Sequence, residues 1–240
     1  MPRSMLARLA ACLLLAAGLR GCVTYEYEHE FWLRVDGSGT VNVTGRPELW
    51  TAFKGPAAAN PQGTPTRESV RALFERSGLS VKRVTLTTRD GRQYLFVSAD
   101  FKDLNALRGT PAFPDFENLS VGREGERLSL YGIWKRPAGR TEKAEDDGLM
   151  AVRFHLPSKV YEHKNAMDGV ERGNIVGWRQ EIGQALAGRR LEVGALMDPR
   201  SILVSTVGLF AIAIAGGLSV LGLGLYLAFR KGKRENGAAG

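Results

Sequence analysis

The sequence predicts an α+β fold, with antiparallel hairpins, one or two packed helices and one C-terminal transmembrane helix. Three observations predict it. Polar and apolar residues alternate over residues 24–35, which is typical of a half-buried strand. Similar runs flank short glycine-containing turns, which indicates hairpins. Residues 202–229 carry no charge, and 28 such residues are enough to cross a bilayer.

The composition limits the class of protein. The chain has 240 residues, of which 44% are hydrophobic and 24% are charged, as in ordinary globular proteins. Its net charge is +8, but seven of the 33 basic residues and one of the 25 acidic residues lie at the two ends. Residues 23–200 therefore hold 26 basic and 24 acidic side chains. The basic excess indicates membrane-targeting segments, and no nucleic-acid partner is expected.

The N-terminus predicts a signal peptide over residues 1–21. Its basic start is followed by an apolar stretch too short to span a bilayer. The motif Leu19-Arg20-Gly21-Cys22 resembles a bacterial lipobox, from which Arg20 departs. With Cys12 removed, Cys22 would have no partner for an internal disulfide. We therefore predict that Cys22 is lipidated; the alternative is an ordinary signal peptide with a coincidental cysteine.

The C-terminus predicts the membrane topology. Residues 202–229 form the expected transmembrane helix, and residues 230–240 form a basic tail. Because basic residues favour the cytoplasmic side, the tail is expected inside the cell. The export signal then places residues 22–200, the predicted exported domain, on the extracytoplasmic side.

The first half of this domain predicts two hairpins and two helices. A strand over 24–35 places Tyr25, Tyr27, His29, Phe31, Leu33 and Val35 on one face and Trp32 among the acidic residues of the other. A turn at 36–39 leads to a return strand over 40–44. We then expect a helix at 47–53, a loop at 54–65, a helix at 66–78 with Leu73 and Phe74 in its apolar stripe, strands at 80–88 and 93–101, and a helical turn at 102–107.

The second half predicts mostly strands. A hairpin pairs residues 119–123 with 127–134, and residues 135–148 form an exposed, mobile loop. Strands follow at 149–156, 174–178 and 190–197, and residues 157–173 are expected to be irregular.

Several segments together resemble one known family. They are the lipobox-like start, the Asp-Gly-Ser-Gly turn at 36–39, the C-terminal span with its basic tail, and the stretch that contains Leu156-Pro157, Asn165-Ala166 and Asn174-Ile175-Val176-Gly177-Trp178. This pattern is similar to that of the LppM-type bacterial lipoproteins. The resemblance implies an exported α/β domain held at the membrane, with interaction with envelope lipids and no established catalysis.

Residues for catalysis or metal binding are not arranged in a known motif. The three histidines lack zinc-like spacing, and neither a nucleophile elbow nor a phosphate-binding loop occurs. Glu26, Glu28 and Glu30 are expected on a solvated strand face, His155 on a strand and His163 in a loop. We expect no enzyme activity, no metal and no cofactor.

The leading hypothesis is a membrane-tethered cell-envelope domain that binds a lipid, a glycolipid or another hydrophobic ligand. The candidate ligand-binding residues are large side chains: Phe31, Trp32, Leu33, Leu73, Phe74 and Trp178. Two alternatives stay open, which are a protein-interaction or assembly module and an envelope hydrolase. A pocket lined by apolar side chains and open toward the membrane would favour the first hypothesis. A flat exposed apolar patch without a pocket would favour the protein-interaction module, and convergent carboxylates in a cleft would favour the hydrolase.

Overall fold

The computed structural model describes residues 24–139, 144–166, 170–171 and 174–236. Within these ranges the α+β prediction is confirmed, because two mostly antiparallel sheets combine with four α-helices. The predicted signal peptide, Cys22 and residues 237–240 lie outside the described residues.

The strands and helices follow the predicted order closely. The strands are β1 (Tyr27–Leu33), β2 (Gly39–Gly45), β3 (Ser80–Arg89), β4 (Arg92–Phe101), β5 (Phe116–Glu124), β6 (Arg127–Trp134), β7 (Leu149–His155), β8 (Val160–Lys164), β9 (Val170–Glu171), β10 (Ile175–Glu181) and β11 (Leu191–Met197). The helices are α1 (Pro47–Lys54), α2 (Arg67–Arg76), α3 (Ile182–Leu186) and α4 (Ile202–Asn236), with short 3₁₀ turns at Pro56–Ala58 and Leu104–Ala106.

The larger sheet has seven strands in the order β3-β4-β2-β1-β7-β10-β9. Its hairpins are antiparallel, as predicted, but β1 pairs with β7 in parallel. This long-range pair was not predicted, because no local turn signals it. It places the N-terminal strand at the centre of the sheet, between β2 and β7.

Local signals explain the first hairpin and helix α2. The Asp36 carboxylate accepts a hydrogen bond from the Ser38 N–H, and Gly37 has a φ of 83°, which glycine adopts without strain. Before α2, the Thr66 hydroxyl accepts from the Ser69 N–H, and the Ser69 side chain accepts from the Thr66 N–H. This reciprocal capping satisfies two donors at the start of the helix.

The smaller sheet has four strands in the order β5-β6-β11-β8. Its inner face and that of the larger sheet contribute to one continuous core, together with α1, α2 and α3. Phe31 of β1 packs edge-on against Phe116 of β5, and Phe53 of α1 packs edge-on against Trp134 of β6. The core therefore joins both sheets of the domain.

Three sequence-based expectations are corrected by the structure. Residues 157–173 were expected to be irregular, but they include β8 and β9, and His163 lies on β8 rather than in a loop. Val35 is 42% exposed instead of inward, because β1 ends at Leu33. The short helix α3 was also not predicted. It has five residues, of which Ile182 and Ala185 are buried. Two buried positions are too few to show a helical periodicity in the sequence.

Helix α4 is long and apolar enough to cross a membrane. Its most apolar window, Thr206–Leu223, has a mean hydropathy of 2.1, and none of that window is buried against the protein. Length and composition therefore make α4 compatible with membrane association, while its orientation stays a prediction. The four residues 198–201 connect it to β11.

Candidate functional site

A shallow groove of about 290 Å³ lies on the outer face of the four-stranded sheet. Most of its exposed lining is apolar. The lining residues come from β5, β6, β8 and β11: Glu124, Ser129, Leu130, Tyr131, Glu162, His163, Lys164, Gly194, Ala195 and Leu196. The groove is at the small end of the size range of ligand sites, so it fits one segment of a larger molecule.

Cross-strand register creates this groove. Ser129, Leu196 and Glu162 form one row across β6, β11 and β8, and Tyr131, Gly194 and Lys164 form the other row. Each row contains one small residue, Ser129 or Gly194, beside larger side chains. The small residues leave space between the larger side chains, and Tyr131 and Leu196 are large apolar residues among the lining.

The groove lies close to the point where the chain leaves the sheet toward α4. The next row beyond Ser129 and Leu196 contains Leu128, Met197 and Val160, and Met197 is the last residue of β11. One row corresponds to about 3.3 Å along a strand. The groove therefore begins about one residue from the end of the sheet nearest the candidate membrane helix.

Charged groups stand at the edge of the groove. The Glu162 carboxylate pairs with the Arg127 guanidinium at 3.0 Å, and Lys164 pairs with Glu192. This pairing raises the pKa of Lys164 and lowers the pKa of Glu192. The edge thus offers ammonium and carboxylate groups next to an apolar floor, which suits a ligand with both an apolar and a polar part.

Five of the six candidate ligand residues lie in the core. Phe31, Leu33, Leu73 and Phe74 are at most 5% exposed, and Trp178 is 1% exposed. None of them lines the groove, and their contact with a ligand stays a prediction. Trp178 contacts a strand that lines the groove, since its indole N–H donates a hydrogen bond to the carbonyl of Lys164 on β8.

Trp32 occupies the outer face of the seven-stranded sheet, as predicted. It is partly exposed, and its ring stacks on His155 with centroids 4.5 Å apart and an interplanar angle of 13°. His155 Nε2 lies 2.8 Å from the Glu30 carboxylate. The structure therefore does not bring Trp32 together with the groove, which lies on the other sheet.

A buried polar cluster links both sheets through α1. The Lys54 ammonium donates to both oxygens of Asp115 at 2.8 and 3.0 Å and lies 2.9 Å from His29 Nε2. The Trp134 indole donates to Asp115 at 3.1 Å. Burial lowers the pKa of Lys54 and raises that of Asp115, and the charge of each partner opposes the shift. Burial and the nearby Lys54 charge hold the pKa of His29 well below its usual value, so His29 is neutral and accepts from Lys54.

A second cluster surrounds the buried guanidinium of Arg46. Four carboxylates lie within 3.4 Å of it: Glu26, Glu48, Glu145 and Asp147. Arg92 also pairs with Asp147, at 2.7 Å, and these two arginines lower the pKa of Asp147. This cluster holds residues 145–147 against the sheet, so this end of the predicted loop at 135–148 is fixed by ion pairs.

The acidic face of β1 is less solvated than predicted. Glu26, Glu28 and Glu30 have side chains only 13–19% exposed. Burial raises the pKa of Glu28, and the nearby Arg153 guanidinium opposes this shift. These carboxylates form ion pairs with Arg46 and Arg153. Among the residues that the structure describes, no group of three histidine, cysteine or acidic side chains could hold a metal.

Tyr94 is expected to ionise near pH 12 instead of pH 10. Burial and the hydrogen bond from its hydroxyl to Glu26 raise the pKa of Tyr94 to about 12. Because the folded-state pKa is above the unfolded value, this group stabilises the fold below pH 10, and the contribution is lost as the pH rises toward 12. Absorbance titration of the protein and its Tyr94→Phe variant checks this. If the Tyr94→Phe variant instead loses a group that titrates near pH 10, the assignment is wrong.

Comparison with known proteins gives a distant structural likeness. No family model and no curated protein matches the chain. Among solved structures, the chain is similar to the NMR structure of the folded domain of LppM from Mycobacterium tuberculosis. The two are 16% identical, the match covers 74% of this chain and 92% of that chain, and the TM-score is 0.41. The resemblance to the LppM-type family therefore stays a prediction from the sequence.

The groove residues were not identified from the sequence. Ser129, Tyr131, Gly194 and Leu196 are unremarkable in composition, and they become neighbours only through the pairing of β6 with β11. The third wall depends on β8, a strand that the sequence did not predict. Gly194 is the one local signal for the groove, because a glycine in a strand has no side chain to fill the space between its larger neighbours.

Proposed function

We propose that this chain is a membrane-anchored, extracytoplasmic, non-catalytic domain that binds a lipid or glycolipid in the groove over Ser129 and Gly194. One observation carries the proposal. The apolar groove begins about one residue from the end of the sheet that leads into the apolar helix α4. A site so placed is close to the membrane in which its ligand is dissolved.

The lining supports an amphiphilic ligand. Each methylene group that leaves water for the apolar floor contributes about 0.8 kcal/mol, so a short stretch of acyl chain gives measurable affinity. The carboxylates of Glu124 and Glu162 at the edge accept hydrogen bonds from hydroxyl groups, which sugars and glycerol carry. Tyr131 offers a ring against which a sugar or an acyl chain packs.

The chemistry of the described residues supports a binding role. Inside the core, the buried Lys54 ammonium contacts both Asp115 and His29, and none of these three residues lines the groove. The carboxylates around Arg46 are held in ion pairs with arginines. Both clusters are explained by their contribution to the fold, and the groove itself contains no nucleophile paired with a base.

Filling the groove tests the proposal. The variant Ser129→Trp places a large ring over the groove floor, and we expect it to reduce the affinity for a fluorescent phospholipid at least tenfold. The matched control is Ser98→Trp, because Ser98 is also a partly exposed outward serine in mid-strand, but on the other sheet. Binding is measured by fluorescence titration of the full chain in detergent. Equal affinities of the two variants would show that the groove is not the site.

A further inference from the structure

The end of the four-stranded sheet nearest α4 has its own surface chemistry. Here, "the helix-proximal end" means the β5–β6 turn (residues 123–127), residues 159–161 and the connection 198–201. Register brings these segments together, because Arg123 of β5, Leu128 of β6, Met197 of β11 and Val160 of β8 form one row across the sheet.

Tyr161 is the prominent side chain of this end. It is 47% exposed, although it is large and aromatic. The Arg127 guanidinium lies 4.8 Å from the centre of its ring, and the Lys159 ammonium lies 5.6 Å from it. Its hydroxyl donates a 2.9 Å hydrogen bond to Asp198. This arrangement holds an aromatic ring at the surface with two cations near it, which is the chemistry of residues at a lipid–water interface.

The connection to α4 is too short to carry this end away from a membrane. Asp198 is still tied to the sheet, because its N–H donates to the carbonyl of Lys159. Four residue steps from Asp198 to Ile202 span at most about 14 Å. The connection is also turned, since the N–H of Arg200 donates back to the Asp198 carboxylate. The start of α4 therefore lies close to Tyr161.

We propose that the helix-proximal end rests on the lipid–water interface of the membrane that α4 spans, and that Tyr161 enters the headgroup layer. This inference rests on the part of the proposed function that places α4 in the membrane, but it does not require a ligand in the groove. It places the groove at headgroup height, with its opening on the side of the sheet.

The charges of this end determine what kind of contact it makes. The helix-proximal end has four basic residues, Arg123, Arg127, Lys159 and Arg200, and three acidic ones, Glu124, Glu126 and Asp198. The adjacent Glu162, which pairs with Arg127, makes the charges balance. A balanced surface gains little from anionic lipids. The contact is therefore carried by the aromatic ring, and it is expected to persist on zwitterionic lipid and at 1 M salt, where the screening length is about 3 Å.

Fluorescence quenching in nanodiscs tests the inference. An environment-sensitive fluorophore is attached at Glu126→Cys, at the helix-proximal end, or at Ala187→Cys as the control, both with Cys12→Ser and Cys22→Ser. Six residue steps along β11 separate the two ends of the sheet by about 20 Å. In phosphatidylcholine nanodiscs with a headgroup-attached quencher, we expect quenching at position 126 to be at least threefold stronger than at position 187.

Variants of Tyr161 identify the group responsible. Tyr161→Ala is expected to reduce the quenching at position 126 at least twofold, Tyr161→Trp to preserve it, and 1 M salt to leave it unchanged. Equal quenching at the two positions, no effect of Tyr161→Ala, or loss of quenching in salt would overturn the proposal. If the protein does not incorporate into the nanodiscs at all, the membrane role of α4 fails instead, and the two failures are thereby distinguished.

Discussion

Replacing Lys54 with methionine is expected to lower the free energy of unfolding by about 3–5 kcal/mol. The ammonium group of Lys54 supplies two of the hydrogen bonds to Asp115, and both side chains are fully buried. Methionine fills a similar volume but leaves the Asp115 carboxyl with the Trp134 indole and without a compensating charge. The effect is measured by urea unfolding of the full chain in detergent, followed by tryptophan fluorescence.

The matched control is Lys82→Met. Lys82 pairs with Asp100 at 2.7 Å, almost the same distance as the 2.8 Å between Lys54 and Asp115, but the two side chains are 53% and 38% exposed. Water solvates both groups when an exposed pair is broken, so we expect a loss of about 1 kcal/mol or less. If Lys54→Met costs no more than Lys82→Met, Lys54 and Asp115 are not a buried pair.

Trp178→Ala is also expected to cost about 3–5 kcal/mol. The side chain is 1% exposed, packs edge-on against Phe154 and donates its N–H to the Lys164 carbonyl. Truncation removes the packing and leaves a cavity between β10 and β8. Because Lys164 belongs to the groove, the variant is also expected to weaken lipid binding, whereas Trp178→Phe retains most of the packing and most of the stability. Thermal unfolding and lipid titration of both variants check this.

Trp32→Ala is the control for this prediction. Trp32 is partly exposed and its main contact is the stack on His155, so we expect a loss of about 1 kcal/mol or less and unchanged lipid binding. A loss as large as that of Trp178→Ala would contradict the placement of Trp32 on the outer face. Weakened lipid binding at unchanged stability would instead indicate that the ligand contacts the larger sheet.

Most local structure could be predicted from the sequence because the responsible signals are local. Alternation defines β1, Asp90-Gly91 turns the chain between β3 and β4, and Thr66 caps α2. Both Asp90 and Gly91 have positive φ, as a tight hairpin turn requires. The uncharged run at 202–229 predicted helix α4 for the same reason, because length and composition are also local properties of the sequence.

The long-range features could not be predicted, because they depend on pairing between distant segments. The parallel pairing of β1 with β7 joins residues more than 120 positions apart. The partners of Arg46 at 145 and 147 lie in a segment whose polar composition predicted only an exposed loop. Likewise, an apolar side chain on a strand is predicted to be inward, but the sequence does not indicate whether it contacts a ligand or the core. Five candidate ligand residues therefore lie in the core.

Photo-crosslinking tests the central claim most directly. The full chain is reconstituted with a phospholipid that carries a photoreactive group on its acyl chain, irradiated, digested and mapped by mass spectrometry. If the groove binds lipid, crosslinks are expected in α4 and also in β6, β8 and β11, around Ser129, Lys164 and Leu196, and Ser129→Trp removes the second set while Ser98→Trp retains it. Crosslinks confined to α4 would contradict lipid binding by the domain.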